Sequence, residues 1–267
     1  MIISSDETLY AKHLGLCLRL QREYQPLVNT TLNEKFDILP GQEIPAGQYP
    51  KLNYLVIGIG GAEVVTGNDY KFSRHKPTDA ALFQHIPFVI RTADNDLLPG
   101  DQAKYRLRRT ENIGGTEYVC YYMKIIEDFI MRDEVYQINA GVDFNSLTIF
   151  DTNTENILEP TPRNISDPVD TINNNYVAVT VKLDFILSVE ELNEIENAMT
   201  IKYGTVSKLT EIGIVSGYDF DNSGVTEIVG AVINFFVTID LTTGIYLAQN
   251  SPVARSIEIG GMEPLVS

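Results

Sequence analysis

Tyr176-Val177-Ala178-Val179-Thr180-Val181-Lys182-Leu183-Asp184-Phe185 alternates with period two, so Val177, Val179, Val181, Leu183 and Phe185 share one face. That is the pattern of a half-buried β-strand. Directly after it, Ser188 stands as a helix N-cap and Glu191 at the position that completes a capping box. Leu192, Ile195 and Met199 then form an apolar stripe. Further strand patterns follow at residues 211–218 and 226–241, and at 245–247 after the Thr242-Thr243-Gly244 turn. The C-terminal part is therefore expected to be strand-rich with one helix.

Upstream, residues 155–175 are polar, carry Pro160, Pro162 and Pro168, and end in three asparagines, the composition of a linker. Residues 4–25 predict an amphipathic helix, capped by Ser5 or Asp6. Leu9, His13, Leu16, Cys17 and Leu20 fall near helical spacing, and Pro26 fits the end. Residues 39–50 hold three prolines and two glycines. They predict an irregular segment, either a functional loop or an arm lying on a partner. Residues 52–59 read as a buried strand, 79–88 as a short helix, 104–110 and 116–126 as strands, and Asn112-Ile113-Gly114-Gly115 as the hairpin turn between them. The fold class expected is α+β: an N-terminal helix, a mixed central part and a strand-rich C-terminal part. The expected division is an assembly domain at 1–155, a linker at 156–175 and a second domain at 176–267.

The chain has 267 residues and a formal net charge of −16. Neutralising phosphates needs a surplus of Lys and Arg, so nucleic acid is not an expected partner. The charge is uneven: residues 70–109 hold 8 basic and 4 acidic residues, whereas residues 151–267 hold 5 and 17. The basic stretch suits an acidic surface, of its own C-terminal half or of a neighbouring subunit; a solvated face with internal ion pairs is the alternative. No apolar run approaches the 18 or so residues of a membrane span, and the first residues lack a signal-peptide pattern, so no membrane is expected. Cys17 and Cys120 read as free thiols.

The chemical motifs are weak. Gly58-Ile59-Gly60-Gly61-Ala62-Glu63 follows a strand, but Glu63 stands where a dinucleotide-binding turn needs its third glycine. Asp219-Phe220-Asp221-Asn222-Ser223-Gly224 begins like a calcium loop, but Gly230 replaces its twelfth-position Glu, and a hairpin turn explains the segment. His13, His75 and His85 have no metal-binding spacing. No cofactor, metal or catalytic residue is expected, and carboxylates are too common in this chain for any pair to be informative.

The run from Arg74 to Arg91, with Asp94-Asn95-Asp96-Leu97, Tyr105-Arg106-Leu107-Arg108-Arg109 and Tyr121-Tyr122-Met123-Lys124, resembles virion structural proteins of contractile-tailed bacteriophages, of the tail and baseplate region. The resemblance covers roughly residues 50–130 and marks no active site. It implies a non-enzymatic subunit of a symmetric, ring-like assembly, touching other virion proteins and copies of itself. Such a subunit is made in the bacterial host cytoplasm and ends in the virion. The contact candidates are Pro40, Pro45 and Tyr49 in the arm, Arg74, Lys76, Arg91, Arg106, Arg108 and Arg109 in the basic stretch, and the tail at 257–267. A neck or collar subunit, a host-surface binding module, a carboxylate hydrolase and a cytoplasmic regulatory protein are the alternatives.

Overall fold

The computed structural model describes residues 2–64, 70–126, 133–139, 146–149, 175–204, 208–222, 224–239 and 252–265. In chain order the elements are β1 (Ile2–Glu7), α1 (Leu9–Arg19), α2 (Leu32–Phe36), β2 (Lys51–Gly58), β3 (Ala62–Val64), β4 (Tyr70–Phe72), β5 (His85–Ile86) and β6 (Val89–Thr92). They continue with α3 (Pro99–Gln102), β7 (Tyr105–Ile113), β8 (Thr116–Ile125), β9 (Asp133–Asn139), β10 (Ser146–Ile149) and β11 (Asn175–Leu187). The last are α4 (Val189–Tyr203), β12 (Glu211–Asn222), β13 (Val225–Ile239) and β14 (Val253–Leu265). The fold is α+β.

The chain forms two compact units, Met1–Glu127 with Leu187–Val253, and Asp128–Ile186 with Ala254–Ser267. The first holds an eight-stranded sheet running β1-β13-β12-β2-β8-β6, with β5 paired to β2 and β7 to β8. The second holds a four-stranded sheet in the order β10-β9-β11-β14. This corrects the expected boundaries at 155 and 175. β12 and β13 belong with the N-terminal strands, because Ile212 pairs with Ile57 and Phe236 with Asp6. Pairing of distant strands depends on backbone edges meeting in space and leaves no local compositional mark. The expected linker falls outside the described residues up to position 174, as do the turn at 242–244 and the strand at 245–247.

Local structure follows the sequence where caps and turns decide it. Ser188 and Glu191 form the capping box of α4, which ends at Gly204 in the left-handed conformation. The β7–β8 turn has Gly114 and Gly115 at positive φ, and the Asn112 side chain accepts the Gly115 N–H. The Asp219–Gly224 segment is the β12–β13 hairpin, where Asp221 accepts the Gly224 N–H.

Three expectations are corrected. Residues 2–7 form a strand, since β1 is held by its ladder to β13 rather than by its own polar sequence. α1 therefore starts later, capped by Thr8, whose side chain accepts the Ala11 N–H. It ends in a Schellman motif: Arg22 N–H bonds the Cys17 carbonyl, Gln21 N–H bonds that of Leu18, and Gln21 carries φ +50°. Pro26 plays no part in that end. A left-handed non-glycine residue costs about 1 kcal/mol. Gln21→Gly is accordingly expected to stabilise the protein by about 1 kcal/mol, read as a higher midpoint in urea unfolding. Finally, residues 79–88 form no helix; they run through bends into β5.

The main core gathers Phe36, Tyr54, Val56, Ile90, Cys120, Tyr122, Val215 and Phe236, all at most 5 % exposed. α2 is too short to persist alone. Its capping box (Thr31 with Glu34) and the burial of Leu32 and Phe36, together about 4 kcal/mol, hold it on the sheet. Phe36 stacks on Tyr122 at 4.3 Å. Cys17 and Cys120 are both free thiols, and burial pushes the Cys120 thiol up to about 12.

Candidate functional site

Three of the six expected basic contact residues are committed within the chain. Arg91 grips both Glu194 oxygens at 2.6 Å. Arg106 donates to both Asp219 oxygens, at 2.7 and 3.0 Å, and to the carbonyls of Ala103 and Tyr105. Arg108 donates to Asp96 at 2.7 and 3.1 Å. Glu194 and Asp219 lie in the C-terminal half, so much of the basic stretch pairs with the chain's own acids. Arg74, Lys76 and Arg109 remain on the surface. The segment around Pro40, Pro45 and Tyr49 lies on its own chain. Gln25 bonds both the N–H and the carbonyl of Ile44, Tyr49 donates to the Arg22 carbonyl, and Ile44 is buried with Leu14, Tyr24 and Val229. Pro40 and Pro45 stay exposed. Residues 257–265 of the expected tail lie in β14.

The most chemically dense constellation was not legible in the sequence. Glu211, 1 % exposed at the start of β12, accepts Gly60 N–H (2.8 Å), Phe83 N–H (3.2 Å) and Gln84 N–H (3.3 Å). It also meets His75 Nε2 at 2.8 Å. His75 Nδ1 lies 3.3 Å from Asp79, and its ring is stacked between Phe83 (4.1 Å) and Phe236 (3.9 Å). The glycines after β2 are therefore explained. Gly60 donates to Glu211 and Gly61 to the Thr210 side chain. A Cβ on Gly61 would sit 2.5 Å from the Thr210 carbonyl oxygen. The donors that could have cradled a phosphate hold the chain's own groups. Nearby, burial pushes His85 down to about 3, helped by the positive charge of Lys35. Its Nε2 accepts the Leu82 N–H, and its Nδ1 is buried without a hydrogen-bond partner.

The other notable feature is an outward-facing apolar stripe. Ala11 and Leu14 are the buried residues of α1. Leu9, Leu16 and Leu20, which the spacing marked as one helix face, are 49 %, 55 % and 63 % exposed. Half-buried His13 stands between them and tilts onto Tyr24, 5.3 Å away. Just beyond the helix, Leu27 and Val28 are 54 % and 81 % exposed. Leu9, Leu16 and Leu20, at helical spacing, form an apolar stripe on the solvent side of α1.

Titration of the carboxylates sets the pH response. Burial alone would raise Glu34, Asp96 and Glu111, but hydrogen bonds outweigh it and hold all three below the ordinary range. The donors are backbone N–H groups at Glu34, Tyr121 and Arg108 at Asp96, and Lys202 and Tyr122 at Glu111. Glu227 goes the other way, pushed up by burial although the N–H groups of Ile228, Leu107 and Arg108 point at it. The first three bind fewer protons folded than unfolded, so their stabilisation is present above the usual carboxylate values and lost as pH falls through the folded ones. Glu227 contributes in the opposite sense, losing stabilisation as pH rises through its folded value. Glu190, fully exposed, is also held low by hydrogen bonds at the α4 N-terminus, and with more carboxylates lowered than raised the melting temperature is expected to fall between about pH 5 and about pH 3. Glu111→Gln should flatten that fall and Glu227→Gln should steepen it, as read by thermal melts across the series.

Among the described residues no helix is long and apolar enough to cross a membrane, and no three His, Cys, Asp or Glu side chains are grouped to hold a metal. No curated protein and no solved structure matches the chain. A family model, that of a family of unknown function (DUF7208), matches residues 3–267, and the chain belongs to that family.

Proposed function

We propose that this chain is a structural subunit of a tailed-phage virion, of the baseplate or tail, that acts through protein–protein contacts in a ring-like assembly and performs no catalysis. The observation that carries the reading is the exposed stripe of Leu9, Leu16 and Leu20 with Leu27 and Val28 nearby. Covering leucines and valines that are half exposed or more removes apolar surface from water and supplies a contact with its driving force. The resemblance of residues 50–130 to contractile-tail proteins supports the same reading and is the ground for proposing that particle. Arg74, Lys76 and Arg109, all exposed, remain contact candidates.

The hydrolase reading would rest on Glu211, His75 and Asp79. The Glu211 and His75 side chains are each 1 % exposed, and the imidazole is closed in by two phenylalanine rings. A substrate has no approach to that carboxylate–imidazole pair, which ties loops to the sheet instead.

The test is co-expression with the products of adjoining genes, followed by gradient sedimentation and negative-stain imaging. The expected result is entry into large symmetric particles by the wild-type chain and exclusion of Leu16→Glu. A chain that stays apart from every such product overturns the reading.

A further inference from the structure

Leu9, His13, Leu16 and Leu20 are separated by four, three and four residues, the a/d spacing of a two-stranded coiled-coil seam. The spacing, though not the residue order, is also the same read backwards. Under a two-fold axis crossing the helix near its middle, Leu9 meets Leu20 of a second helix and His13 packs its ring against Leu16. A self-complementary pattern of that sort is what an isologous contact requires. From this geometry we infer that the solvent face of α1 is a homodimerisation surface, occupied by α1 of a second copy running antiparallel. The inference rests on the assembly reading and names one of its contacts.

Charge supports the direction. Asp6 and Glu7 precede the helix, with Lys12 the single base at that end and 3.9 Å from Glu7, whereas Arg19 is in its last turn and Arg22 follows, with Glu23 the single acid there. An antiparallel crossing sets the acidic end of one helix against the basic end of the other and opposes the two helix dipoles; a parallel one sets like against like. Residues 9–28 carry three basic side chains and one acidic one in a chain of net charge −16. The bulk of the molecule would repel an anionic lipid surface, so a protein occupant is favoured over a membrane.

The surface is small. α1 spans only three turns, well short of the 800 Å² per partner of a standard stable interface, even with Leu27 and Val28 added. The dimer is therefore weak, with a dissociation constant in the micromolar range, and suited to forming inside a larger assembly.

The experiment is sedimentation velocity on the full chain over about a hundredfold concentration range, with circular dichroism to verify folding. A monomer–dimer equilibrium is expected, weakened about a hundredfold by Leu16→Glu. Glu7→Lys alone should weaken it, and adding Arg22→Glu should restore it, because the swapped charges meet across the two-fold axis. Leu9→Glu serves as the second seam variant if Leu16→Glu does not fold. A monomer at every concentration overturns the inference, as does a dimer indifferent to both seam variants. A monomer that floats with vesicles of phosphatidylserine overturns it in favour of a lipid occupant. A monomer that still enters particles with neighbouring gene products sinks the dimer and leaves the assembly reading standing.

Discussion

Glu211→Ala is expected to remove about 4 kcal/mol of stability, most of what a protein near the lower end of the usual 5–15 kcal/mol range has. The carboxylate sits at the centre of four hydrogen bonds, and three of its partners are backbone N–H groups in two different loops. Alanine leaves Gly60, Phe83 and Gln84 N–H groups and His75 without their acceptor. Each abandoned donor costs up to roughly 1–3 kcal/mol, less at the part-buried Gly60, Phe83 and Gln84 N–H groups, which water can reach. Glu211→Gln keeps one acceptor oxygen and should lose about half as much. Urea denaturation of both variants gives the comparison. If the alanine variant lost less than about 1 kcal/mol, the loops would have another anchor and Glu211 would not be their hub.

Asn33→Ala is the second large effect, at about 3 kcal/mol. β13 bulges near Gly230, where φ is +60° and the register with β12 shifts by one residue. The bulge takes backbone groups out of the ladder, and β1 covers only residues 235–239 of that strand. The Asn33 amide fills the gap: its oxygen accepts Ala231 N–H at 2.9 Å, and its NH₂ donates to Ile228 at 2.7 Å and to Ile38 at 3.0 Å. An amide carries both donor and acceptor, so Asn33→Asp should recover little. Denaturation midpoints of the two variants check this, and protection of Ala231 N–H from hydrogen exchange should fall in both.

The two sites had no signal in the sequence for the same reason. Glu211 is one of 36 acidic residues, and what sets it apart is which N–H groups converge on it from residues 60 and 83–84. Those contacts also explain why residues 79–88, apolar and proline-bounded, are not a helix: their donors bond a side chain more than 120 positions away instead of the preceding turn. Where a few adjacent residues decide the structure, the reading held. The capping box of α4, the Asn112–Gly115 turn and the alternation of β11 are local chemistry. α1 is the instructive middle case. Its period was legible, but the stripe that periodicity picked out is the face left to solvent, while Ala11 and Leu14 pack inward. Periodicity reports that a face is apolar, and the partner that covers it can be another molecule.

The pairing of β1 with β13, Ile2 opposite Ile239, also governs how the chain can be made. Elongation at 5–20 residues per second leaves the first strand waiting on the order of 10–50 s before its partner leaves the ribosome. During that interval the N-terminal edge is an open template for wrong pairing. Completion of the large sheet thus waits on long-range closure, a slow class of folding reaction. A holdase that shields the first strand would raise the yield of native protein more than one acting on the finished chain.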